Sequence, residues 1–124
     1  MNIVGPPLGK VGYVNDDFPE WNVNQAVAIF RVKKEIQSTY LFHTIRHRKM
    51  LSKIISLAAG IRQLNLSLEQ CRNIEIPVPP QSLQNDFVNK VEQIRKIDRD
   101  SLKSAELSND LFQSCVQKAF RGEL

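Results

Sequence analysis

Thiols, carboxylates in the middle of the chain, and turn residues in its last third are all scarce in this sequence, and each shortage excludes something. Cysteine occurs twice in 124 residues, as Cys71 and Cys115, with no CxxC pattern and no third thiol. That excludes a thiolate metal site and fits reduced thiols in a cytosolic protein. No apolar run approaches the roughly 20 residues of a membrane span; the longest lies near Ile54 to Ala59. The opening MNIVGPPLGKVG has no charged leader followed by an apolar core, so the expectation is a cytoplasmic chain without membrane association. No internal repeat or low-complexity tract is visible.

Signs of catalysis are equally scarce. Gly5 to Lys10 superficially resembles a phosphate loop, but three residues separate Gly5 from Gly9 and Val11 stands where a magnesium-binding hydroxyl belongs, so a turn before a strand is the better reading. His43 and His47 are spaced like paired zinc ligands. The intervening sequence HTIRH lacks the general-base Glu, and no third ligand follows nearby. No Ser, His and Asp grouping or paired carboxylate stands out, so neither an enzyme nor a metal or other cofactor is expected.

The carboxylate gap lies between Glu35 and Glu69, where there is no acid but Arg46, Arg48, Lys49, Lys53 and Arg62 occur, with His43 and His47 among them. Residues 1–80 hold ten basic and six acidic side chains, which accounts for the whole net charge of +4, while 81–124 hold seven of each. A polyanion should therefore meet the first part of the chain. A basic helix face that neutralises phosphates gives salt-dependent nucleic-acid binding, and Lys10, Arg46, Arg48, Lys49, Lys53 and Arg62 are the candidate contacts to DNA or RNA. The alternative is a helical protein-interaction module that docks an acidic partner and does not bind DNA.

The turn residues run out after Pro79-Pro80: no Pro or Gly follows until Gly122. Nothing stops a helix over that stretch, which at ~1.5 Å per residue would be about 60 Å long. Phe87, Val91, Ile94, Ala105, Phe112, Cys115 and Ala119 fall in one 4-3 seam, with Leu102, Leu107, Leu111 and Val116 beside it and a polar break around Asp98 to Ser101. Apolar residues along so much of a helix predict packing against another helix, with a homodimer as the expected form.

The remainder reads as short elements. Strands are expected over Lys10 to Val14, Val23 to Val32, Arg62 to Leu66 and at Ile74, Ile76 and Val78. Ser38 is a candidate cap for a helix through Leu41, Phe42 and Ile45. Met50 to Ala59 continues the helical spacing, as a second helix or a bent first one, with Gly60 as its C-cap. Ser67 and Gln70 have capping-box spacing. Asn15 to Asp17 makes a polar loop. The fold class expected is α+β, with short strands and helices followed by a long C-terminal helix packed as a coiled coil.

Ile76-Pro77-Val78-Pro79-Pro80, then Gln84, then a long helix ending in QKAFRGEL, resembles the end of a specificity subunit of type I restriction-modification systems. GPPLGKVGYV, WNVNQAVAIF and GIRQLNLS upstream resemble the second part of a target recognition domain from that family. The resemblance covers essentially the whole chain; Leu83 stands where the family usually has Glu. It implies a partial DNA target recognition domain over 1–78 and a spacer or dimerisation helix over 79–124, together a C-terminal piece of such a subunit. It also implies a non-catalytic role: double-stranded DNA as ligand, and a methyltransferase (modification) subunit, with the restriction subunit as a further partner.

Overall fold

The computed structural model of the chain describes every residue except Asp16, Phe18 and Leu124. The centre of the Asn15–Asp17 loop and the last residue of the terminal motif therefore lie outside the described residues. Four helices follow in order: α1 (Ser38–Arg46), α2 (Arg48–Ile55), α3 (Leu68–Arg72) and α4 (Gln81–Phe120). The chain divides into two units, Met1–Asn85 and Asp86–Leu124.

The first unit has a core of Met1, Ile3, Ala28, Ile45, Ile54, Leu66 and Cys71, flanked by Leu8, Phe30, Leu41 and Met50. Its N-terminal residues tie distant segments together: Ile3 N–H donates to Ala26 (2.8 Å), Ala28 N–H to Met1 (2.9 Å) and Leu66 N–H to Ile3 (2.8 Å). Burial pushes the Cys71 thiol above its ordinary range, an effect the nearby Met1 ammonium partly offsets.

The strand half of the α+β expectation is not met. Among the described residues, β pairing is limited to isolated antiparallel bridges, Asn2 with Val27, Val4 with Asn65 and Ala59 with Asn65. A ladder needs several residues in register, and here turns through Gly5, Gly9 and Gly60 redirect the chain after each single pair. Ile74 to Val78 joins no bridge, and Pro77, Pro79 and Pro80 lack the N–H donors that pairing requires.

Helix boundaries differ in instructive ways. Ser38 is the first residue of α1 rather than its cap, and Gln37 occupies the cap position without a side-chain cap bond. Met50 to Ile55 belongs to a separate helix: His47 is extended (ψ 131°) between α1 and α2. Its N–H still closes α1 on His43 and Thr44, while its carbonyl accepts Leu51 N–H (2.9 Å) and opens α2. Helix α2 stops at Ile55 with Ser56 as its cap, so Gly60 is not the C-cap. Gly60 is needed for another reason. At φ +146° a Cβ there would lie 2.0 Å from the Gln63 carbonyl oxygen, a position no other residue fits.

The capping box forms as its spacing predicts. Ser67 Oγ accepts Gln70 N–H (3.1 Å) and Gln70 Oε1 accepts Ser67 N–H (2.7 Å). Gln70 Nε2 also donates to the Leu57 carbonyl (2.5 Å), which anchors α3 to the turn after α2.

Helix α4 starts directly after Pro80, whose carbonyl accepts the Leu83 and Gln84 amides. It ends where Gly122 N–H turns back to Ala119 and Glu123 N–H to Lys118. In the second unit Ile94, Ile97, Leu102, Leu107, Leu111 and Phe112 are all more than half exposed.

Candidate nucleic-acid interface

Helix α2 is sharply two-sided. With 3.6 residues per turn, Arg48, Lys49, Ser52 and Lys53 share one side and Met50, Leu51, Ile54 and Ile55 the other. Ile54 is 1% exposed in the core, so the apolar side is fixed inward and the basic side is left to solvent. Gly9 packs against this helix, where an added Cβ would sit 2.7 Å from Leu51 Cδ1.

The candidate cations are not equally available. Arg48 and Lys49 are exposed at the start of α2. Arg46, one residue before the break at His47, lies with its guanidinium 4.9 Å from the centre of the Phe42 ring, a cation–π contact that orients it. Phe42 in turn meets Tyr13 edge-on at 5.5 Å. Lys53 Nζ is 3.6 Å from Glu75 Oε2, with both side chains well exposed. The acid-free stretch of the sequence is thus not acid-free in space, although an exposed pair of this kind is worth about 0–1 kcal/mol. Arg62 is exposed in the loop between Gly60 and Asn65.

The structure therefore gathers Arg48, Lys49 and Lys53 on one helix face, with Arg46 across the break; Lys10 follows Gly9, which packs on the opposite, apolar side of α2, and Arg62 lies in the 60–65 loop. The interface candidates Phe87, Val91, Ile94, Ala105, Leu111, Phe112, Cys115 and Ala119 all lie on α4; Val91 is half-buried and the others are exposed.

The residue whose role the sequence least reveals is Gln84, which is fully buried. Its Oε1 accepts Gln37 N–H (2.9 Å), and its Nε2 donates to the carbonyls of Glu35 (2.9 Å) and Pro79 (2.9 Å). The side chains of Gln37 and Asn85 hydrogen-bond next to it. This amide satisfies the uncapped start of α1 and ties it to the first turn of α4. The resemblance singles out a Gln here, but its partners lie 47 and 49 positions away in the 35–37 segment and leave no sequence pattern.

An apolar groove of about 510 Å³ runs between the 28–36 segment and Ile74, Ile76 and Val78. Among the described residues no group of three or more His, Cys, Asp or Glu side chains could hold a metal ion. No described helix is long and apolar enough to cross a membrane.

Residues 3–108 match the family described as the type I restriction modification DNA specificity domain. The chain is also 30% identical over 131 aligned positions to the type I restriction enzyme EcoBI specificity subunit of Escherichia coli. That alignment covers 100% of this chain and 27% of the relative, so the chain spans about a quarter of that subunit's length. No solved structure matches. With most of its length inside the family model and its whole length aligned to a specificity subunit, the chain belongs to the type I restriction-modification DNA specificity domain family.

Proposed function

We propose that this chain is a non-catalytic DNA-recognition element of a type I restriction-modification system. In this reading the unit Met1–Asn85 contacts double-stranded DNA, and the helical unit assembles with a second copy of the chain. A methyltransferase (modification) subunit, and with it the restriction subunit, is the further partner that family membership supports. The observation that carries the DNA reading is the exposed basic face of α2, held outward by the burial of Ile54 on the opposite side. Arg48, Lys49 and Lys53 act as phosphate contacts, which set position and affinity rather than base choice. Arg46, Lys10 and Arg62 extend the contact area.

The test is duplex binding as a function of salt. Three phosphate contacts predict a slope of about −2.7 in log affinity against log salt. Arg48→Glu combined with Lys49→Glu should weaken binding at low salt by at least tenfold and flatten the slope by about two. Unchanged affinity in that double variant would refute α2 as the DNA face.

A further inference from the structure

Residues 59–65 form a tight reversal directly after the turn that ends α2. Ala59 and Asn65 exchange both backbone hydrogen bonds, each 3.0 Å, and close its base. The base is anchored to the N-terminal segment: Gly5 N–H donates to the Leu64 carbonyl (3.2 Å), Leu66 N–H donates to Ile3 (2.8 Å), and Leu66 is buried in the core. Inside the reversal the turn at Gly60 admits no side chain, and the Gln63 amide lies where a Cβ on Gly5 would stand. Gln63 is thus committed to packing on Gly5, which leaves Ile61 and Arg62 at the tip.

Ile61 is 106% exposed, more than any other large apolar side chain among the described residues, so it adds nothing to the core. Arg62 is exposed, and its guanidinium has no hydrogen-bond or ion-pair partner among the described residues. We propose that this tip reads base edges in the major groove of duplex DNA, with Arg62 as the specificity-determining donor and Ile61 as its apolar companion. The proposal rests on the DNA reading of the first unit and divides the work within it: α2 supplies phosphate contacts, and the tip supplies sequence choice.

The two side chains have the chemistry for this. A guanidinium presents paired donors that match the O6 and N7 acceptors of guanine, and an aliphatic group packs against the thymine 5-methyl, which the major groove displays. A hydrated isoleucine gains by burial only against apolar surface. Phosphate oxygens offer none, whereas a groove floor carrying methyl groups does. Base readout also needs side chains held in register, and here the tip is closed by backbone hydrogen bonds and by a glycine that no other residue replaces. Its connection to α2 is short and fixed. Leu57 N–H donates to Ile54 (3.1 Å), Ala58 N–H to Ile55 (3.0 Å), and the Leu57 carbonyl accepts Gln70 Nε2 (2.5 Å). The phosphate-contacting helix and the reading tip therefore share one frame.

Selection by the full chain from a pool of duplexes with a randomised centre tests the proposal, alongside salt titration of selected and unselected duplexes. The parent chain should enrich a motif. Arg62→Ala should reduce the preference for guanine at one position of that motif by about tenfold, while its affinity for unselected duplex and its salt slope stay at the parent's values. Ile61→Ala should reduce a thymine preference at a neighbouring position by about fourfold, the worth of roughly one buried methyl group. Both side chains stand clear of the core, so the urea midpoint should not move in either variant. A motif that survives Arg62→Ala intact would overturn the proposal. So would a uniform loss across all sequences with the slope flattened by about one, the mark of a phosphate contact. If the parent chain binds duplex but enriches no motif, base reading by the tip is wrong and the phosphate role of α2 stands. If it binds no duplex at low salt, both fall.

Discussion

Ile54 and Ile94 occupy equivalent places on amphipathic helices, yet Ile54 is 1% exposed and Ile94 is 58% exposed. The same contrast holds between their units. In Met1–Asn85, apolar residues from five separate segments converge on one core, and short helices are fixed by capping contacts and by buried hydrogen bonds. In Asp86–Leu124 a single helix supplies one face of a core and no second face. Most helical stability in proteins comes from packing of such a face rather than from intrinsic propensity. The first unit thus buries an apolar core of its own, while the helix of the second leaves its apolar stripe exposed in the single chain. Charge follows the same division: the net positive charge resides in residues 1–80, and 81–124 are neutral. A neutral apolar stripe suits association, and a basic surface suits a polyanion.

This division can be attacked from each side. The largest effect is expected for Gln84→Ala, which removes the buried amide from Gln37 N–H and from the Glu35 and Pro79 carbonyls. The first unit should lose about 3–4 kcal/mol, since each buried polar group left unsatisfied costs ~1–3 kcal/mol and water relieves part of the sum. Urea titration followed by Trp21 fluorescence measures it, and a loss below about 1 kcal/mol would show that the amide is not needed. Phe112→Asp should do the reverse. It places a charge in an apolar layer and should weaken association by about 2–3 kcal/mol, or roughly 30- to 150-fold. The urea midpoint of the first unit should not move. Equal effects of Phe112→Asp on both properties would abolish the distinction between the units. The smallest effect is expected for Ser67→Ala, which deletes one arm of the capping box. It should cost about 1 kcal/mol of first-unit stability and leave association unchanged.

What was legible in the sequence is local. Pro80 and Gly122 frame α4 because a missing donor and a chain reversal act on the residues next to them, and Ser67 with Gln70 caps α3 within one turn. The acidic gap spans α2, whose basic and apolar sides separate by helical geometry alone. What was not legible depends on distant segments meeting. Val23 to Val32 has the composition of a strand, but it obtains only the bridge at Val27 because its neighbour Met1–Ile3 turns away at once. Lys53 meets Glu75 only after folding brings them together. Ser38 reads as a cap, yet its hydroxyl lies 2.8 Å from that of Tyr13, and the backbone donor at the start of α1 goes to Gln84.

All the partners of the Gln84 amide are main-chain groups. The fastening therefore reads no neighbouring side chain: Glu35, Gln37 and Pro79 contribute only the peptide groups that almost any residue would offer in their place. Mutational drift can rewrite the side chains of the first unit's surface without loosening the hydrogen bonds that hold the 35–37 segment to the first turn of α4. One glutamine thus makes this fastening indifferent to the side chains around it, so the surface beside it is free to vary while the backbone it holds stays put.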